Sequence, residues 1–225
     1  QEALDSVDID SGRPEEMMNL LGLDTLVDAA TRGDLDAAYI IAWCYANGKG
    51  VEQNDALAFE WFHMLAAEEG DPRAYIWVGN YYYRGAGTKQ DYAEAVKWYM
   101  LAAEEGDMIA LGNAADVYNY GRGNVAQDLP RAFALYKQSA EGGNVTSMGN
   151  LGVCYLNGRG TDKNTEQGVY WITRAAEAGN AAAMYNLGQM YEKGVGVAKD
   201  AAAARGWYEK AAAAGNSAAQ QKIGK

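Results

Sequence analysis

Side chains able to do chemistry are sparse in this chain. His63 is the only histidine, and no serine or cysteine lies at a spacing that would make it the base of a nucleophile. It reads as a surface or helix-packing histidine. Cys44 and Cys154 are the two cysteines. They fall at the same register of different repeats, which predicts a separation of tens of Å, far beyond the ~7 Å a disulfide tolerates between Cα atoms. Both read as small buried hydrophobes. Gly-x-Ser-x-Gly, His-Glu-x-x-His and Cys-x-x-Cys are absent, so nucleophilic and zinc chemistry lack their usual signatures. Carboxylate pairs such as Glu68-Glu69 and Glu104-Glu105 fall at the end of a helical pattern, where solvation is their expected role. The Asp8-x-Asp10-Ser-Gly12 run resembles the start of a calcium loop but lacks the later bidentate Glu. The expectation is a protein that is not an enzyme, with no cofactor and no metal.

Composition sets further limits. Hydrophobic residues make up 49% and charged residues 22%, enough for a core, while no run approaches the ~18 apolar residues of a membrane helix. The net charge is −11, and residues 1–36 alone carry a net −8. The remainder is nearly balanced and has no basic stripe, which argues against nucleic-acid binding and against docking on anionic membranes. The chain starts at Gln1 without a charged-then-apolar leader, which reads as a processed or cloned fragment. The compartment stays open between exported bacterial (periplasmic or secreted) and cytoplasmic.

What must position any functional residue is a repeat. Gly33, Gly70, Gly106, Gly143, Gly179 and Gly215 are spaced by 37, 36, 37, 36 and 36 residues, and such a period signals stacked supersecondary units. Asp or Asn follows each of them, and a Gly-x-Gly lies midway through every unit. In the second unit, Asp71 can cap a helix whose first position is Pro72, where the missing N–H costs nothing. Ala74, Val78, Gly79 and Tyr82 recur at helical spacing, predicting a first helix, A, of about 13 residues that Gly85 and Gly87 end. Asp91 opens a second helix, B, with Glu94 placed for a capping box, and Ala95, Trp98, Tyr99, Ala102 and Ala103 form its buried stripe. The Gly-x-Gly steps follow helices and recur in every unit, so they read as turns and not as a nucleotide fingerprint.

These residues resemble the Sel-1-like repeat, a relative of the tetratricopeptide repeat. The fifth unit shows the pattern most fully, with Ala183, Leu187, Gly188, Tyr191, Gly194, Gly196, Val197, Asp200, Ala204, Trp207, Tyr208, Ala211, Ala212 and Gly215. Ala42 and Ala115 depart from the helix-A glycine, and Leu135 from the helix-B Trp. Repeats one and three carry an extra residue, expected between Val51 and Ala66, inside helix B in one version, and in the Asn124–Asp128 loop. The resemblance implies an all-α fold, a right-handed α-solenoid of antiparallel helix pairs. Its parts are an acidic, disordered leader at 1–12, a capping helix within 13–33, five repeats at 34–70, 71–106, 107–143, 144–179 and 180–215, and a partial sixth at 216–225.

Stacked helix pairs form a superhelix whose concave face is the usual working surface. By similarity to tetratricopeptide repeats, helix A lines it. The groove positions are then Tyr39, Trp43 and Asn47 in repeat one, and Ile76, Asn80, Tyr83 and Arg84 in repeat two. Asp116, Asn119 and Tyr120 follow in repeat three, Asn157 in repeat four, and Tyr185 and Gln189 in repeat five. Asn47, Asn80, Asn119 and Asn157 fall near one strip, and an amide can both donate to and accept from a peptide backbone. The competing reading is that these Asn end their helices and that Trp43 and Tyr81-Tyr82-Tyr83 pack between repeats. Gly112 and Gly149, inside helices, mark close helix contact or room for a ligand. The expected function is a non-enzymatic scaffold or adaptor binding a protein or peptide in the groove, monomeric, with end-to-end association as an option. The alternatives are an assembly module working through open solenoid ends, or a small-molecule-binding, carbohydrate-binding or hydrolytic protein.

Overall fold

The computed structural model describes residues 13–224; the leader at 1–12, including the Asp8–Gly12 run, lies outside the described residues. Thirteen helices and no strands are present among the described residues. The chain divides into two compact units that meet in sequence at Glu105 and Gly106. Unit one holds α1 (Pro14–Leu21), α2 (Leu23–Thr31), α3 (Leu35–Asn47), α4 (Asp55–Ala67), α5 (Pro72–Arg84) and α6 (Tyr92–Glu104). Unit two holds α7 (Met108–Tyr120), α8 (Leu129–Glu141), α9 (Val145–Asn157), α10 (Thr165–Glu177), α11 (Ala181–Lys193), α12 (Ala201–Ala213) and α13 (Ser217–Ile223). In each unit consecutive helices pack as A/B pairs, from α3 with α4 to α11 with α12.

The local signals explain why. Every helix A begins at an Asp or Asn whose carboxylate or amide oxygen accepts first-turn N–H groups, as the orphan donors of a helix start require. Each ends on a glycine in the left-handed conformation. The reversal into helix B is held by one recurring backbone bond. The N–H of the helix-B cap donates to the carbonyl of the helix-A tyrosine: Asn54 to Tyr45, Asp91 to Tyr82, Asp128 to Tyr118, Asn164 to Tyr155 and Asp200 to Tyr191, all at 2.8–3.0 Å. The second glycine of the turn is needed for close approach. A Cβ at Gly160 would lie 2.0 Å from the Leu129 carbonyl oxygen, and one at Gly87 2.2 Å from that of Asp55.

Between helices, large side chains fill the space that small ones leave. In unit one the core includes Phe62, Leu65, Val78 and Tyr81; in unit two it includes Leu151, Ile172 and Leu187. The helix-A glycine exists because a helix-B side chain occupies the place of its Cβ. A methyl at Gly79 would meet the Tyr99 ring at 2.6 Å, and one at Gly152 would meet Ile172 at 2.6 Å. Both cysteines are free and buried, and burial pushes the Cys44 thiol up to about 11, with Glu15 adding to it.

Two expectations need correction. The capping segment is two helices, because Gly22 adopts φ 78°, ψ 157° between α1 and α2, a conformation incompatible with a continuous helix. The extra residue of repeat one does not bulge helix B. The α4 helix is regular, and the residue is absorbed in the Glu68–Gly70 turn, where the Asp71 N–H reaches back to the Leu65 carbonyl.

Candidate functional site

Counting each repeat's N-cap as the first register, the expected groove residues occupy the sixth, tenth, thirteenth and fourteenth registers of helix A. The structure separates them. Asn47, Arg84, Tyr120 and Asn157, at the fourteenth, are all exposed. The thirteenth is instead taken up in packing, against its own helix B in repeats two and four and against the following repeat in repeat three. Tyr83 meets Tyr92 edge-on at 5.3 Å, Asn119 is only 7% exposed and accepts from Arg159 at 3.0 Å, and Leu156 fills the space above Gly168. The asparagines therefore form no single strip. Asn47 donates to the Trp43 carbonyl at 2.8 Å, Asn80 accepts from the Tyr99 hydroxyl at 2.8 Å, Asn119 is a buried acceptor, and Asn157 lies at the exposed register.

The tenth register follows the helix-B residue opposite it. Where helix B supplies Tyr99 or Tyr136, the tenth residue is Asn80 or Asp116, and each accepts the tyrosine hydroxyl. Where helix B supplies Phe62 or Ile172, the tenth residue is Trp43 or Val153. Repeat five shifts the bond by one turn, so that Tyr208 donates to Glu192 at 2.8 Å while Gln189 donates to Tyr185 at 3.2 Å. Burial raises the Asp116 carboxyl above the usual range, and the Tyr136 hydroxyl works against that by stabilising the anion.

In unit one the expected aromatic anchors belong to the packing. Trp43 is half-buried against the cores on both sides of α3. Tyr39 lies edge-on to Phe62 at 5.7 Å, Phe62 stacks on Trp77 at 4.8 Å, and the Arg73 guanidinium sits 5.0 Å over the Tyr39 ring. That guanidinium also bridges Asp36 at 2.5 Å and Asp71 at 2.6 Å, tying repeat one to repeat two. Ile76 is half-buried, and Arg84 lies 5.4 Å over Tyr81. His63 packs at 5.3 Å from the Phe59 ring and 5.9 Å from Trp98, the packing role expected of it.

Unit two offers open surface. Two depressions flank α9. The smaller, about 180 Å³, is lined by Ile109, Gly112, Asn113, Asp116, Thr146 and Asn150 among others. The larger, about 400 Å³, is lined by Val153, Leu156, Asn157 and Ile172 of repeat four, with Asn186, Gln189, Met190 and Lys193 of repeat five and Lys163 from the intervening loop. Asn113, Asn150 and Asn186 share the seventh register, which sequence reasoning missed. Their signal was present: one amide at one register in three successive repeats. Registers three, seven, ten and fourteen are spaced so that they share one helical face, and that face lines both depressions. Among the described residues, no group of three or more His, Cys, Asp or Glu could hold a metal ion, and no helix is long and apolar enough to cross a membrane.

Comparison with known proteins places this architecture. The Sel1 repeat model matches residues 35–71, 72–107, 108–144, 145–180 and 181–216. The chain belongs to the Sel1 repeat family. Among solved structures, a Sel1 repeat protein from Oxalobacter formigenes aligns over 96% of this chain and 89% of its own, at 28% identity and TM-score 0.81. The Escherichia coli protein c5321, described as a protective antigen present in uropathogenic strains and displaying an SLR fold, is 36% identical over 90% of this chain, with TM-score 0.80. The chain spans only 43% of the length of that structure. The immunity protein Pa5087 from Pseudomonas aeruginosa shares the fold at 22% identity, TM-score 0.54, over 83% of this chain and 68% of that one. No curated protein matched. Sel1 repeat proteins generally mediate protein–protein interaction, and Sel1 repeat solenoids are generally non-enzymatic scaffolds.

Proposed function

We propose that this Sel1 repeat chain is a non-enzymatic adaptor that binds a protein or peptide segment on the face formed by its A helices. The observation that carries this reading is the pair of depressions flanking α9, lined largely by helix-A side chains, with Asn113, Asn150 and Asn186 half-buried and Asn157 exposed there. Asn157 and Gln189, expected from sequence, belong to that lining, as does Asp116. Amides at the seventh register supply donors and acceptors at intervals of one repeat, which suits an extended backbone. Tyr120, exposed at 58%, offers an aromatic anchor on the same helix as Asp116. Tyr39, Trp43 and Tyr83 serve mainly to hold unit one together, so their removal is a poor test of binding.

A photo-crosslinking amino acid placed at Tyr120 or Asn157, and in parallel at the exposed helix-B residues Lys137 and Glu177, tests the assignment in the native cell. The same adduct from Tyr120 and Asn157, absent from Lys137 and Glu177, is the expected result. Adducts confined to the helix-B positions would refute it.

A further inference from the structure

The larger of the two depressions flanking α9 is chemically two-sided. Its floor is aliphatic, with Val153 and Met190, while Asn157 and Asn186 present amides and Lys163 and Lys193 stand at its edge. Neither ammonium group forms an ion pair among the described residues. The neighbouring Glu192 carboxylate is already engaged by Tyr208 at 2.8 Å and Lys222 at 2.9 Å. The chain as a whole carries a net charge of −11. The charge is divided along the unit boundary: residues 1–105 carry a net −13 and residues 106–225 a net +2. Two cations facing one recess favour an anionic occupant, because clefts lined by one sign of charge focus the local field. A free small anion would leave the aliphatic floor wet. An extended peptide satisfies the floor, the amides and the lysines at once.

Resting on the helix-A reading above, we propose that this depression binds an extended acidic segment of a partner protein. An aliphatic side chain of that segment enters between Val153 and Met190. A flanking Asp or Glu is held by Lys163 and Lys193, and the backbone is read by Asn157 and Asn186. The segment continues along α9 toward Asn150, which lines the smaller depression one turn away.

The test is a selection of randomised peptides on the immobilised full chain, repeated with the K163Q/K193Q double variant. Circular dichroism and melting confirm that the variant folds, since both lysines are exposed. The expected result is enrichment of Asp or Glu next to Leu, Ile, Val or Met. A selected peptide should lose about tenfold in affinity to K163Q/K193Q, as two screened charge contacts allow, and should weaken with salt. Selected peptides without acidic enrichment, or with unchanged affinity for the variant, would overturn this proposal and leave the adaptor reading standing. Recovery of no peptide by the wild-type chain would overturn both.

Discussion

Asp116 shows how a single position mixes packing with recognition. Its carboxylate accepts from the Tyr136 hydroxyl and lies 3.4 Å from the Asn150 amide, and it also lines the smaller depression. Burial disfavours its ionised form, so the folded chain holds this proton more tightly than the unfolded chain does. Linkage then requires this residue's contribution to stability to increase as pH falls through the raised value toward the ordinary 3.8. Asp116→Asn keeps an acceptor for Tyr136 and removes the titration. Urea unfolding across that window should show wild-type stability rising relative to the variant as pH falls; a difference that stays flat would contradict the linkage. The coupling of the tenth register to the helix-B residue was hidden from sequence reading because the two partners lie 19 or 20 residues apart. The seventh-register amides were overlooked for another reason. The expected groove positions follow the similarity to tetratricopeptide repeats, whereas the face lining the depressions is set by the 3.6-residue period.

At the scale of the element, caps and turns were legible because their causes are local. An Asp or Asn before each helix from α3 onward and a glycine after each helix A needed no tertiary information. The break at Gly22 and the placement of the extra residue at Glu68–Gly70 were not legible, since a lone Gly inside an amphipathic stretch does not declare whether the helix continues. Glycines also differ in why they are there. Gly149 is helical, and a Cβ on it would rest at 3.9 Å from the methyls of Ala175 and Ala183, an ordinary contact. Gly112 is tight, with Ser147 Oγ 2.6 Å from where a Cβ would stand. Gly149→Ala should therefore stabilise the chain by about 0.5–1 kcal/mol. Gly160→Ala should destabilise it, by about 1–2 kcal/mol from its left-handed backbone alone and further through the collision with Leu129. Equilibrium urea midpoints of the two variants separate these outcomes, and equal shifts would show that the turn geometry is misjudged.

For the molecule as a whole, the period announced the repeats, while the division of charge between its units became visible only once the units were delimited. Unit one, at net −13, works against its own electrostatic repulsion; unit two, near neutrality, does not. Raising sodium chloride from about 20 to 300 mM, which shortens the Debye length from roughly 20 to 6 Å, should increase hydrogen-exchange protection in α3–α6 while leaving α7–α12 nearly unchanged. An equal response in both units would mean that the acidic charges of unit one are too far apart to matter. The recurring bond from each helix-B cap to a tyrosine carbonyl has a consequence for how such a chain changes over generations. Its donor and acceptor are both main chain and belong to the same repeat, so a duplicated or deleted block of one full period leaves every remaining turn with its partner. Copy number can thus change by whole repeats without disturbing this turn, while recognition is rewritten one register at a time on the face the bond leaves untouched.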